Sequence, residues 1–106
     1  MMHLINLKSM QAAPYGERHK NELYKTDAFK VRIIELEERE KLPPDGLCEM
    51  ETYVIFNILA GKTGITVNGE YNEAEEGFCV VAEPGNFRLE AKTNCKILGI
   101  QIKNPK

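Results

Sequence analysis

The sequence holds no tryptophan, two histidines and three cysteines in 106 residues, and each scarcity removes a class of chemistry. Cys48, Cys79 and Cys95 are odd in number and form no Cys-x-x-Cys pair, which argues against a disulfide framework or a zinc knuckle. Unpaired thiols fit a reducing compartment. His3 and His19 both fall in a weakly patterned opening stretch, apart from each other, and read as exposed polar residues rather than a general base. Long apolar runs are also missing. The longest, Val54 to Ala60, is broken by Asn57 and falls far below the ~20 residues of a membrane span. Met1 to Lys8 is too polar and interrupted for a signal peptide, so a cytoplasmic protein without membrane contact is expected. No excess of one charge exists either: 14 Lys and Arg stand against 16 Asp and Glu, interspersed. The densest basic cluster, Glu17-Arg18-His19-Lys20, contains its own acid. Phosphate neutralisation needs concentrated positive charge, and nucleic acid is not an expected partner.

What remains is an ordinary globular composition, 42% hydrophobic and 28% charged, in a length that suits one domain. Such a chain buries roughly two-thirds of its unfolded surface and needs no structural metal or disulfide. Residues 1–28, with Pro14 and Gly16 as breakers, are expected to form an arm or edge strand leading into a barrel over 29–106. Phe29 to Glu37 is read as a strand from the alternation of Phe29, Val31 and Ile33, with helix as the rival over Ile33 to Leu42. A turn is expected at Leu42-Pro43-Pro44-Asp45-Gly46, where the prolines fix φ and remove ladder donors. One long strand follows from Cys48 to Leu59, then a short one over Ile65 to Val67. Asn68-Gly69 is the strongest hairpin signal, because a type I′ turn needs positive φ at both central residues. Further turns at Glu76-Gly77 and Pro84-Gly85 separate strands over Phe78–Ala82, Phe87–Ala91 and Lys96–Ile102. Short strands punctuated by Gly and Pro predict an all-β sandwich or barrel.

From Leu42 to Ile102 the sequence resembles the cupin family, a small jelly-roll β-barrel with a two-part motif. Anchored on Gly61, the first part places the two histidine positions on Cys48 and Met50, and the glutamate position on Val54. Its opening glycine would fall on Leu42 and does not match. The second part fits Gly77 and Gly85, with Pro84 one place late, and puts the last histidine on Arg88, or on Phe87 if the loop has lost a residue. The resemblance implies a metal site of imidazole and carboxylate, donors that suit divalent iron, manganese, zinc or nickel. Here two sulfur side chains and an aliphatic one stand instead. Arginine offers no lone pair and phenylalanine no donor atom. No metal and no cofactor are therefore expected. Cys48 and Met50, on one face of a strand, read as core filling rather than as a soft-metal pair.

Alternation puts Cys48, Met50, Thr52, Val54, Phe56 and Ile58 on one face, read as the barrel interior. Tyr53, Ile55 and Leu59 make the opposite face apolar too, and a strand apolar on both faces is covered on both. The cover is the arm or a second subunit, with a homodimer preferred. Either Arg88 faces inward as an anchor for a carboxylate or phosphate, or Phe87, Leu89 and Ala91 do and Arg88 belongs to a charged outer face. Cys79 reads as a buried core thiol. Glu73-Ala74-Glu75-Glu76 reads as a solvated loop. The candidate ligand pocket is Cys48, Met50, Val54, Phe56, Phe87 and Arg88. The functional reading is a metal-free barrel that binds a small organic molecule or a partner in its mouth. The alternative is an isomerase, lyase or oxygenase with a non-standard or absent metal site.

Overall fold

Apolar residues recur at period two in the segments after residue 28, and the backbone follows that pattern. The computed structural model describes residues 2–13 and 15–104. A short 3₁₀ turn, Tyr15–Asn21, leads into the strands β1 (Glu22–Lys25), β2 (Phe29–Leu36), β3 (Lys41–Leu42), β4 (Cys48–Met50), β5 (Tyr53–Ala60), β6 (Lys62–Val67), β7 (Glu70–Glu75), β8 (Cys79–Ala82), β9 (Gly85–Ala91) and β10 (Cys95–Ile102). They form two antiparallel sheets. One has the order β1-β2-β10-β5-β8; the other runs β3-β9-β6-β7, with β4 also paired to β9. The expected all-β jelly roll is what the chain forms, and the segment after Ile33 is strand rather than helix. Among the described residues no helix is long and apolar enough to cross a membrane.

The core lies between the sheets. Ile97 on β10 sits opposite Ile34 on β2 and Ile58 on β5, while Ile65 on β6 faces Leu89 on β9. All but the half-buried Ile34 are almost wholly removed from solvent. Two tight reversals position these strands. Asn68 and Gly69 have φ of 48° and 85°, the positive pair that a type I′ hairpin between β6 and β7 requires. Gly61, at φ 81°, turns β5 into β6 so closely under Asn94 that an added Cβ would lie 2.1 Å from its carbonyl oxygen.

Three expectations are corrected. The long strand over Cys48–Leu59 is two strands in different sheets, β4 on β9 and β5 on β10, with a bend at Glu51-Thr52. Strands of a sandwich change sheets at such bends. The acidic run is not a loop: Glu73, Ala74 and Glu75 belong to β7. Ala74 is buried opposite Thr63, while Glu73 pairs with Lys62 at 3.1 Å. Cys79 is exposed rather than buried, because it lies opposite Asn57 on the outer face of β8.

The first sheet carries apolar residues outside as well as inside. Phe29, Val31 and Ile33 face Ile102, Ile100 and Leu98, with Tyr53 and Ile55 beyond. Ile33 is nonetheless only 2% exposed, because the opening segment crosses this end of the sheet. Lys96 donates from Nζ to the carbonyls of Leu7 and Met10, and the Ala12 N–H donates to Glu35 Oε1 at 2.9 Å. Lys96 and Glu35 are cross-strand neighbours beside Ile33. His3 stacks on Tyr24 farther along, with ring centroids 4.5 Å apart.

Candidate functional site: an inward arginine and its cleft

Five of the six residues singled out for a pocket lie on inner faces and pack together. Cys48 stands opposite Phe87 and Met50 opposite Gly85; Val54 lies between Gln101 and Ala82. Phe56 meets Phe87 in a tilted ring contact with centroids 5.6 Å apart. Val54, Phe56 and Phe87 are core residues, with Cys48 and Met50 packed against them. The positions that the sequence resemblance assigns to metal ligands thus carry sulfur, aliphatic and aromatic side chains. Among the described residues no three His, Cys, Asp or Glu gather as a candidate metal site. The donor set does not fit a divalent cation that wants imidazole and carboxylate.

Arg88, the sixth, is on the opposite face. It pairs with Thr66, one residue from Phe87, and alternation turns it outward among Glu90, Lys92 and Tyr71. Lys92 donates to Glu90 at 2.8 Å. That bond, chiefly, holds the Glu90 carboxyl below its usual range. Arg88 is therefore part of a charged outer face and not an inward anchor.

A different arginine faces in. Arg32 lies opposite Gly99 and Lys30 opposite Gln101 on β10, in the same inward row as Ile34 and Leu36. Glu22 on β1 sits opposite Arg32 and bridges both cations, 3.4 Å from Arg32 Nη2 and 3.5 Å from Lys30 Nζ. Burial works to raise the Glu22 pKa, but the charge of Lys30 and the bonds from Arg32 and Lys30 outweigh it, and the net shift is downward. Gln101 completes the group by donating from Nε2 to Met50 Sδ at 3.8 Å. Two cations against one carboxylate leave this end of the barrel with a positive excess. Arg32 Nε is buried and bonded to nothing among the described residues. The same is true of Arg88 Nε, but it is Arg32 that lines the cleft along β2.

That cleft, of about 810 Å³, runs along β2 from Arg32 to Cys95 and Leu42. Ile34, Leu36 and Leu42 give it apolar walls, and residues 37–41 form a charged rim. Cys95, at its far end, is buried. Desolvation pushes its thiol pKa up. Sequence reasoning passed over Arg32 because apolar alternation drew attention to Phe29, Val31 and Ile33. The available signal was the even-numbered row, in which Lys30 and Arg32 share a face with Ile34 and Leu36.

No protein-family model matches the sequence, and a search of curated proteins finds no match. Solved structures do match. A conserved protein of unknown function from Streptococcus pyogenes superposes with a TM-score of 0.70 at 19% identity, over 80% of this chain and 73% of that one. A cupin protein from Bacteroides fragilis gives 0.65 at 26% identity, over 76% and 70%. Salicylate 1,2-dioxygenase from Pseudoaminobacter salicylatoxidans gives 0.63 at 16% identity, over 71% of this chain and 21% of that one. Enzymes and proteins of unassigned role thus share the architecture, and the likeness speaks to fold alone. With its two antiparallel sheets, its sheet-switching bend and these neighbours, the chain has the jelly-roll fold of the cupin superfamily.

Proposed function

We propose that the barrel binds a small organic anion with an apolar body beside Arg32, without a metal, and that it is a binding protein rather than an enzyme. The observation that carries this reading is the inward, partly exposed guanidinium of Arg32 at the head of a cleft whose walls include Ile34, Leu36 and Leu42. A carboxylate there would accept a charge-assisted hydrogen bond, worth ~1.5–3 kcal/mol net, while its hydrocarbon part displaces water from Ile34, Leu36 and Leu42. Lys30 adds a second cation beside Arg32, while the glutamates that line the rest of the cleft, Glu35, Glu37, Glu38 and Glu40, confine an anionic group to that end. A thermal-shift screen of aliphatic and aromatic carboxylates tests it, with salicylate in the panel because one structural neighbour is named for it. A hit should lose at least tenfold in affinity in Arg32→Gln and nothing in Arg88→Gln. Equal loss in both variants, or none in the first, would refute the reading. Turnover of a hit with purified protein would favour the enzyme instead.

A second copy of the chain is proposed to cover the outer face of the first sheet beyond the arm. Phe29, Tyr53 and Ile102 are each more than a third exposed there, and Val81 is 67% exposed. With half-buried Val31, Ile55 and Ile100 they make a contiguous apolar patch. At the few hundred Å² such residues expose, it reaches the size that marks interaction sites. Sedimentation is the test: a dimer that Val81→Glu converts to monomer is expected, and a monomer at high concentration would end the idea.

A further inference from the structure

The cleft touches Ile33, Ile34, Glu35 and Leu36 in succession. Neighbouring side chains on a strand point to opposite faces, so a cavity that meets four in a row runs along the strand's edge and not over one face. That edge is open. β1 covers β2 only from Lys30 to Arg32. Among the described residues, Ile33 to Leu36 make no backbone–backbone hydrogen bond on the side away from β10. The chain before β1 leaves this line through the 3₁₀ turn that ends at Asn21, itself a wall of the cleft. Outward N–H and C=O groups on alternate edge residues are a template for another strand. Arg32 lies at one end of this stretch and Glu37, Glu38 and Glu40 at the other.

Resting on the proposed anion site, we infer that its ligand is the C-terminal end of an extended peptide, which adds to β2 as a short antiparallel strand. Its terminal carboxylate meets Arg32, its main chain pairs with the edge, and a basic group upstream meets the acidic turn. The end of the chain is required because β1 already occupies the edge opposite Arg32, so an added strand must stop there. Its direction follows from the same fact. With its carboxylate at Arg32 and its earlier residues toward Leu36, the peptide runs antiparallel to β2 and in line with β1. Four residues of edge span roughly 13 Å at 3.3–3.4 Å each, which sets the ligand at about four residues. Main-chain pairing supplies affinity in this mode of recognition, and the side chains of alternate residues supply selectivity.

Calorimetry with the tetrapeptide Lys-Val-Thr-Val tests this on the wild-type protein. The free acid should bind at least tenfold more tightly than its C-terminal amide, and N-methylation at alternate residues should abolish binding. In Arg32→Gln the acid and amide should become equivalent, and Glu38→Lys should weaken both. Equal binding of acid and amide to the wild type, or full binding of the N-methylated peptide, overturns the inference. If N-acetylvaline binds as tightly as the tetrapeptide and depends on Arg32, the peptide is refuted while the anion site stands. If no carboxylate binds, both fall. A dimer that persists in Val81→Glu and binds no peptide would assign the edge to a second copy and equally refute the peptide.

Discussion

Replacing Lys96 by methionine should loosen the opening segment without detaching it, because the Ala12–Glu35 bond remains, and leaves the aliphatic stem of the side chain in place. The ammonium donates to the carbonyls of Leu7 and Met10, which are 86 residues or more away in sequence. A hydrogen bond to a charged group is worth ~1.5–3 kcal/mol net. Because the group is only partly buried, one such bond, about 2 kcal/mol, is the expected loss. Full detachment also uncovers Ile33, whose burial is worth ~1.5–3 kcal/mol, so deleting residues 2–13 should cost about twice as much as Lys96→Met. For a domain of this size, ~1 kcal/mol lowers Tm by roughly 4–8 °C, and the point variant should melt about 10 °C lower. Guanidinium denaturation gives the free energy, and amide exchange at Leu7, Met10 and Ala12 locates it. Ala12 is the sharpest probe, since its N–H is held by Glu35 beside Lys96. A loss under 0.5 kcal/mol with unchanged protection of these amides would refute the clamp.

Three further outcomes follow from particular contacts. Gly69→Ala, where nothing lies within 4 Å, should cost only the ~1–2 kcal/mol of left-handed backbone. Gly61→Ala adds a collision with the Asn94 carbonyl and should cost ~3 kcal/mol or more, measured by the same denaturation. Thiol labelling at pH 8 should modify exposed Cys79 within minutes and spare Cys95, whose burial raises its pKa; equal rates would contradict the packing. Glu22 has a lowered pKa in the fold. Its bridge to Lys30 and Arg32 is therefore fully stabilising above the ordinary carboxylate pKa and fades as pH falls from there through the folded-state value. Glu22→Gln should flatten the pH dependence of stability in that acid window and leave it unchanged near pH 7.

The turns were the most legible part of the sequence. Asn68-Gly69 demands its hairpin by backbone sterics, and Gly61 and Gly77 punctuate the strands because positive φ at those positions suits glycine. β9 was legible in pattern but open in facing until its neighbours were known: Phe87 is inward because it stacks on Phe56, and that turns Arg88 out. The break at Glu51-Thr52 was hidden, since alternation continues across it and Met50 and Val54 both point inward from different sheets. β7 was hidden by composition. Three of its six residues are glutamates, affordable on an edge strand whose inward row needs only Ala74 buried. The facing of β2 was the costliest ambiguity for the site. Its apolar row, Phe29-Val31-Ile33, looks out because the arm covers Ile33, and its mixed row brings Arg32 to the cleft. Such a choice depends on residues distant in sequence, which local periodicity cannot report.

The most direct measurement is a ¹H–¹⁵N spectrum of the arginine Nε–H groups during titration with a carboxylate found by the screen. Saturable displacement of the Arg32 resonance with the Arg88 resonance unmoved is the expected result. A moving Arg88 signal beside a stationary Arg32 signal would contradict the account.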